Sequence, residues 1–525
     1  MTDRLMPRDE IPGCGMCTTV AVLKGRRFSG WHGLLVVIVA ATLLRLCCLG
    51  SRSFYGDEVF SMQIAGQKTI PELVQYAETA ERHPPLPHII SRCMYLAGAD
   101  SEFEWRLFGA CCGVVLAGVV FLAPLACCSP RVGLLAGLLA ATSPMGILFS
   151  QTNRWYPLAA ALLAVAILGM VVGERRGSLA GWGMAAVALA LAFYTVYLAA
   201  AVAFILMLMA LVYLLRARRR LTGWMLAAVI TVLAISPWVK FLLPMLSAGK
   251  IQLDPVRTSV PGLGKAALLL QNLSIGPTVL PWNWAVTVPG VVLFVALTYS
   301  FLRSDVAEVR RFKAFVVGLL VLSLPVMLMV RAASGPRYWL ILLLPWQILV
   351  AGGLLSLRSR VSRMTAGIVL AVVVGYGLFN LYTVRQYQYL ELADDWRGLA
   401  RAAKETQRPG DEVWTLASPF AYYYGPEALY ILDWGWQDGA LTRRLARQAP
   451  RRVLLQYSPL SGWEGTPFIR IGEEMGRELA AAGFKRSDIR RYARDPDFEK
   501  KRKYIRGRDF PEYRHVVEFW VRGSG

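Results

Sequence analysis

Long apolar runs alternate with short polar gaps over residues 33–382 of the chain. A helix of about 20 apolar residues crosses a bilayer core of about 30 Å. The pattern therefore predicts eleven membrane-spanning helices. Nine of them lie at residues 33–50, 107–126, 131–149, 157–173, 222–243, 285–302, 314–330, 338–356 and 364–382, and two more share the tract 179–215.

The tract 179–215 is too long for one span and has a basic cluster at each end, Arg175-Arg176 and Arg216–Arg220. If both clusters are cytoplasmic, the chain must cross the membrane twice between them. We place the turn near Tyr197–Ala201.

Two long polar loops, 51–106 and 244–284, interrupt the apolar pattern. In the first loop, Pro71 suits a first helical turn and predicts a helix at Pro71–Ala80. Ser101 and Glu104 have the spacing of a capping box, which begins the second span. In the second loop, Gly264–Asn272 predicts an interfacial helix.

Hydrophobicity falls after residue 383, and helical and strand patterns alternate from there. The sequence therefore predicts a cytoplasmic leader (1–32), a polytopic α-helical membrane domain (33–382) and a C-terminal α/β domain (383–525). In the last domain we expect helices at Asp394–Thr406 and Met475–Ala482 and strands at Glu412–Leu416, Leu429–Leu432, Val453–Tyr457 and His515–Val521.

The chain has a formal charge of +22, and no nucleic-acid-binding signature accompanies it. Its basic gaps are the leader and residues 131, 174–176, 216–220, 303–313 and 358–363, and they alternate with less basic gaps. By the positive-inside rule, the N-terminus is cytoplasmic. Eleven spans then place both long loops and the C-terminal domain outside the plasma (inner) membrane.

Most of the nine cysteines lie in apolar runs, where small apolar packing is their expected role. Cys14 and Cys17 form a CxxC without a second pair. The first apolar run follows a polar leader and is long enough to remain as a span, so no cleavable signal peptide is expected. The basic run Lys500–Arg508 predicts a solvated face or a contact with anionic lipid.

The acidic pair Asp57-Glu58 follows the first span almost directly. Ionisable groups at a membrane edge usually have a function, because they are costly to keep there. The alternative is a structural role, in which Gly56 ends one element and the acids stabilise the first turn of the next helix.

Three further features share the predicted outer side with this pair. His83 is followed by Pro84 and Pro85, which restrict its backbone. Arg154 ends the third span, Arg337 begins the tenth, and aromatic residues follow both arginines. Arginines at span ends often extend to the interface without further function. A guanidinium also binds phosphate through two parallel hydrogen bonds, so this set indicates chemistry on a phosphate-bearing lipid.

These motifs resemble the membrane glycosyltransferases with the GT-C fold, in the branch of the protein O-mannosyltransferases and the lipid A aminoarabinose transferase (glycosyltransferase family 39). The resemblance covers roughly residues 33–425. The matching segments are Tyr55-Gly56-Asp57-Glu58, His83-Pro84-Pro85-Leu86, Glu104-Trp105-Arg106-Leu107, Arg154-Trp155-Tyr156-Pro157, Tyr194-Thr195-Val196-Tyr197, Arg337-Tyr338 with Pro345, Asp395-Trp396-Arg397 and Pro409-Gly410-Asp411.

The resemblance implies a polyprenyl-phosphate-linked sugar as donor and a hydroxyl of a glycan, lipid or protein as acceptor. Asp57 would be the general base that takes the proton of the acceptor hydroxyl. Glu58 would position the acceptor or structure the loop.

The family's phosphate-binding role would fall to Arg154 and Arg337, with Tyr156 and Tyr338 donating further hydrogen bonds. His83 would contact phosphate or a metal. Relatives that bind a divalent metal take a second ligand from the later outer loop. Residues 244–284 contain no histidine and one acid, Asp254, so no tight metal site is expected.

Two other functions compete with glycosyl transfer. A transporter or lipid flippase often shows internal repeats and ionisable groups at mid-membrane, whereas this chain shows no repeat and has Asp57 at an edge. An inactive scaffold whose α/β domain binds cell-wall partners is the other alternative. It does not account for the joint presence of Asp57, Arg154 and Arg337.

The topology is testable with a fusion. A reporter that is active only in the cytoplasm, fused after Gly525, should be silent, because eleven spans put the two ends of the chain on opposite sides. Strong reporter activity would require an even number of spans and would move the acidic pair to the other side.

Overall fold

A computed structural model gives the fold for residues 30–76, 84–127, 129–247, 262–329, 336–385, 394–431, 440–448, 450–458, 462–463, 466–494 and 513–523. Some predictions concern residues outside these ranges, namely the leader with Cys14 and Cys17, His83, Asp254 and the basic run Lys500–Arg508. In the described part, a helical membrane region is followed by an α/β region.

The membrane region is built from apolar helices. Among the described residues, seven helices are long and apolar enough to span a membrane, one bent pair raises this number to eight, and three shorter apolar helices accompany them, whereas the sequence predicts eleven spans. The bounds are α1 Gly30–Leu46, α5 Glu102–Ala126, the pair α6 Pro130–Thr142 and α7 Pro144–Ser150, α8 Tyr156–Arg176, α9 Leu179–Phe193, α10 Tyr197–Arg216, α11 Thr222–Ser247, α13 Trp284–Leu302, α14 Ala307–Met329, α15 Leu343–Ser356 and α16 Arg360–Phe379. This architecture confirms an integral membrane protein.

The turn inside the tract 179–215 lies earlier than predicted. Helix α9 ends at Phe193 and α10 begins at Tyr197, so the turn is 194–196. The sequence Leu-Ala-Ala-Ala at 198–201 consists of strong helix formers and continues α10. The prediction of a turn at Tyr197–Ala201 was therefore wrong by a few residues.

The bend of 53° between α6 and α7 is stabilised by a buried arginine of α1. Pro144 lacks a backbone N–H, so carbonyl groups near the end of α6 need other donors. Arg45, which is fully buried, donates to the carbonyls of Ala141 (3.0 Å) and Ala140 (3.2 Å). This contact joins α1 to the bend and orients the segment that follows α7.

The polar loops contain short helices: α2 Gly56–Gln67, α3 Ile70–Tyr76, α4 Leu86–Leu96 and α12 Gly262–Ser274. Helices α3 and α12 agree with the predicted Pro71–Ala80 and Gly264–Asn272 over the described residues. The capping box at Ser101 and Glu104 is present and begins α5. Helices α2 and α4 were not predicted as complete elements.

Two further turns belong to the membrane region. A short 3₁₀ helix (Pro336–Leu342) precedes α15, and a π-helical turn (Asn380–Val384) follows α16.

The α/β region is a mixed sheet with helices. The elements are α17 Trp396–Thr406, β1 Asp411–Thr415, α18 Ser418–Tyr424, β2 Ala428–Tyr430, α19 Ala440–Gln448, β3 Arg452–Tyr457, the small hairpin β4 Gly462–Trp463 and β5 Thr466–Pro467, α20 Phe468–Ala481, β6 Phe484–Arg494 and β7 Tyr513–Arg522. The five-stranded sheet has the order β2-β1-β3-β7-β6, in which β1 is parallel to β2 and β3, and β7 is antiparallel to β3 and β6.

Candidate active site

Three segments that are distant in the sequence meet around the Asp57 carboxylate. Arg337, which is 280 residues away, donates from Nη1 to Asp57 Oδ2 at 2.8 Å. Arg154 Nη2 lies 3.5 Å from the same oxygen. Asp57 belongs to the first turn of α2, Arg154 to the segment before α8, and Arg337 to the 3₁₀ helix before α15. The fold thus brings two guanidinium groups to one carboxylate.

The three side chains differ in their access to solvent. The Asp57 side chain is 37% exposed, against 7% for Arg154 and 14% for Arg337. The carboxylate is therefore the most reachable group of the cluster, and the two cations lie deeper. Burial alone would lower the pKa of Arg154, but the Asp57 carboxylate raises it above its ordinary value, so this guanidinium stays charged.

Arg154 is fixed through the backbone of α2 as well as through the carboxylate. Its Nη1 donates to the Asp57 carbonyl (3.2 Å) and to Ser61 Oγ (3.0 Å). Ser61 Oγ in turn donates to the Asp57 carbonyl at 2.9 Å. Ser61 lies one helical turn after Asp57, on the same face of α2. The guanidinium is thus held against the first turn of this helix.

Aromatic rings surround the two arginines. The Arg154 guanidinium carbon lies 3.9 Å from the centroid of the Trp155 ring. The Arg337 guanidinium carbon lies 5.5 Å from the Tyr156 ring and 5.4 Å from the Tyr338 ring, and these two rings pack edge to face at 5.1 Å. Such contacts favour cations electrostatically and restrict their side-chain torsions.

Glu58 has a different environment from its neighbour Asp57. It is fully buried, and its carboxylate accepts a bidentate pair of hydrogen bonds from Arg106 (2.9 and 2.8 Å). It also accepts from the backbone N–H groups of Asn153 (2.6 Å) and Tyr55 (3.2 Å). These contacts tie α2 to α5 and to the segment that carries Arg154. Of the two roles expected for Glu58, this geometry corresponds to structuring the loop.

Arg106 also binds the segment between α1 and α2. Besides Glu58, it donates to the carbonyls of Leu49 (3.3 Å), Arg52 (2.8 Å) and Ser53 (3.0 Å). The sequence placed Arg106 and Asn153 only within motifs, and no role was predicted for either residue or for Ser61. The i, i+4 spacing of Asp57 and Ser61 was a usable signal, whereas no local pattern indicates the contact of Asn153 with Glu58.

The remaining predicted site residues are only partly described. His83 lies outside the described residues, and so does Asp254. Within the described ranges, no group of three His, Cys, Asp or Glu side chains has an arrangement suited to a metal ion.

Beside the site, burial and the Asp57 carboxylate raise the pKa of Tyr55 well above its ordinary value, so its phenol stays neutral.

Comparisons with known proteins concern the family and the fold of the chain. Residues 82–241 match the family model described as dolichyl-phosphate-mannose-protein mannosyltransferase. No curated protein sequence matches the chain. The solved structure of ArnT from Cupriavidus metallidurans in the apo state is similar, with a TM-score of 0.54 and 15% identity over 93% of this chain and 98% of that chain.

Two other solved structures show weaker similarity. ArnT from the same organism bound to undecaprenyl phosphate gives a TM-score of 0.48 and 14% identity, over 94% of this chain and 98% of that chain. The oligosaccharyltransferase of Archaeoglobus fulgidus gives 0.49 and 11%, over 82% and 70%. The family match over residues 82–241 supports glycosyl transfer over the transporter alternative, and the similarity to apo ArnT agrees with the predicted GT-C fold, so this chain is similar to the protein mannosyltransferases and to ArnT.

Proposed function

We propose that the protein transfers a hexose or pentose from a polyprenyl-phosphate donor to an acceptor hydroxyl at the outer face of the plasma (inner) membrane. The observation that carries the proposal is the contact of Asp57 with Arg337 and Arg154. This contact combines a solvent-exposed carboxylate with two more deeply buried guanidinium groups. The family description, which names a lipid-phosphate sugar, supports the same donor class.

In the proposed reaction, Asp57 accepts the proton of the acceptor hydroxyl while the oxygen attacks the anomeric carbon of the sugar. The bond between the anomeric carbon and the phosphate oxygen breaks, and the lipid phosphate leaves with the bonding electron pair. Arg154 and Arg337 neutralise the charge that develops on this phosphate. Tyr156 and Tyr338 lie beside Arg337, where their hydroxyls donate further hydrogen bonds to the leaving group.

The carboxylate and the phosphate would compete for the same two guanidinium groups. Arg337 donates to Asp57 at 2.8 Å, and the anionic oxygens of a bound donor phosphate would accept from the same guanidinium. Donor binding would therefore draw Arg337 away from the carboxylate and leave Asp57 better able to accept a proton. This competition favours a reaction order in which the donor binds before the acceptor reacts.

The orientation of the chain follows from the basic gaps. Arg131 and Arg154 mark opposite ends of the bent span α6–α7. The positive-inside rule assigns the Arg131 end to the cytoplasm, so the candidate site and the α/β region face outward. A polyprenyl-phosphate sugar with its head group in the outer leaflet would then reach the site from the membrane.

Asp57→Asn tests the base. This variant keeps the size of the side chain but cannot take the proton, so sugar transfer from a labelled polyprenyl-phosphate sugar in proteoliposomes should fall by about 10²–10⁴-fold. Affinity for undecaprenyl phosphate, used as a probe of the donor site, should be kept or increased, because the arginines lose a competitor. Near-normal turnover would remove the base assignment.

Glu58→Gln is the matched comparison for this experiment. Since it breaks a buried charged pair with Arg106, it should cost about 3–5 kcal/mol of unfolding free energy, measured as a loss of thermal stability. Asp57→Asn, at the more exposed position, should change thermal stability little. Loss of folded protein in Asp57→Asn would instead support a structural role for Asp57.

Arginine variants test the phosphate contact. Arg154→Ala and Arg337→Ala should each weaken undecaprenyl phosphate binding by about tenfold or more, because a charged hydrogen bond contributes about 1.5–3 kcal/mol. Arg131→Ala is the control, since Arg131 is exposed at the opposite end of the same bent span. Equal effects of all three variants at equal expression would exclude the phosphate role.

A further inference from the structure

The α/β region lies directly on the segment that precedes Asp57. We name residues 51–55, between α1 and α2, the Asp57 loop. Helix α18 packs against α2, and a side chain at Gly56 would begin within 4.0 Å of Ser418 Oγ. The loop is therefore enclosed between Arg106 from the membrane region and residues of the α/β region.

A tyrosine of α18 joins the two regions by hydrogen bonds. The Phe54 backbone N–H donates to the Tyr423 hydroxyl at 2.7 Å, and that hydroxyl donates to Glu102 Oε1 at 2.7 Å. Burial and the adjacent Glu102 carboxylate raise the pKa of Tyr423, so the phenol keeps the proton that it donates. The hydroxyl thus connects the Asp57 loop to the first turn of α5.

The Phe54 ring is held on several sides. It is almost fully buried, it stacks on Tyr423 with ring centroids 6.3 Å apart, and Tyr422 meets it edge-on at 5.6 Å. The Arg106 guanidinium carbon lies 5.1 Å from the same ring. Phe54 is three residues before Asp57, so a displacement of this anchor is transmitted to the first turn of α2.

A second residue of the α/β region reinforces the contact. Arg397 donates through Nη2 to the Ser51 carbonyl (2.7 Å) and through its backbone N–H to Ser53 Oγ (3.2 Å). Its Nη1 lies 3.5 Å from Glu102 Oε1, the oxygen that accepts from Tyr423. Arg397 and Tyr423 therefore converge on one carboxylate at the start of α5.

We propose that Tyr423 is a positioning residue for Asp57, through which the α/β region fixes the Asp57 loop by the contacts Phe54–Tyr423–Glu102. This inference rests on the proposed function, because it assumes that Asp57 reacts. Arg106 donates to carbonyls of the loop, while the Tyr423 hydroxyl accepts from a backbone N–H of the same loop. The carboxylate then keeps its place relative to Arg154 and Arg337, and a shift of about 1 Å is enough to cost two orders of magnitude in rate.

Tyr423→Phe in the full-length protein removes the hydroxyl and keeps the ring on Phe54. Tyr422→Phe is the matched control, one residue away and also packed on Phe54. In Tyr423→Phe we expect hydrogen exchange at the Phe54 amide to accelerate about tenfold or more and kcat to fall about 10–100-fold. The affinity of Tyr423→Phe for undecaprenyl phosphate and its melting temperature should stay close to those of the unaltered protein. Tyr422→Phe should match the unaltered protein in hydrogen exchange, kcat, affinity and melting temperature.

Three results would overturn the proposal. The first is that hydrogen exchange and kcat are unchanged in Tyr423→Phe. The second is that kcat falls equally in Tyr423→Phe and Tyr422→Phe. The third is that Tyr423→Phe loses both affinity for undecaprenyl phosphate and melting temperature. A failure of the proposed function is recognised separately, by near-normal turnover of Asp57→Asn while exchange at Phe54 still accelerates in Tyr423→Phe.

Discussion

The contact of one carboxylate with two guanidinium groups at the membrane edge is the interaction on which the candidate site depends. Asp57, Arg154 and Arg337 come from three separate segments, so the contact exists only when the helical region is assembled. Buried or partly buried charges are tolerated when they are paired. In the proposed function, the same arginines would also bind the donor phosphate, because groups that stabilise a carboxylate also stabilise a phosphate.

Two adjacent acids have different environments because successive residues of a helix point about 100° apart. Asp57 faces the two arginines and keeps access to solvent, whereas Glu58 faces α5 and is fully paired with Arg106. In the proposed function, this division lets one short segment carry both the reacting carboxylate and a buried structural one. The α/β region contacts the Asp57 loop through Tyr423 and Arg397, in addition to the contacts of Arg106.

The sequence was sufficient to predict features that depend on local pattern. The apolar runs predicted the membrane-spanning helices, and alternating segments predicted most strands of the sheet. Strand β6 was not predicted, because its many charged residues, which are common in edge strands, interrupt the alternation of apolar and polar positions. The predicted position of the turn at 194–196 was wrong by a few residues, because apolar residues lie on both sides of it. The contacts of Glu58 with Asn153, and of Phe54 with Tyr423, join positions 95 and 369 residues apart, and no spacing rule reveals them.

The central claim is that Asp57 and the donor phosphate share Arg154 and Arg337. A structure of the protein with undecaprenyl phosphate bound tests it most directly. The account predicts phosphate oxygens within hydrogen-bonding distance of both guanidinium groups, with the Arg337 Nη1 to Asp57 Oδ2 distance increased from 2.8 Å. A phosphate bound elsewhere, with this ion pair intact, would contradict the account.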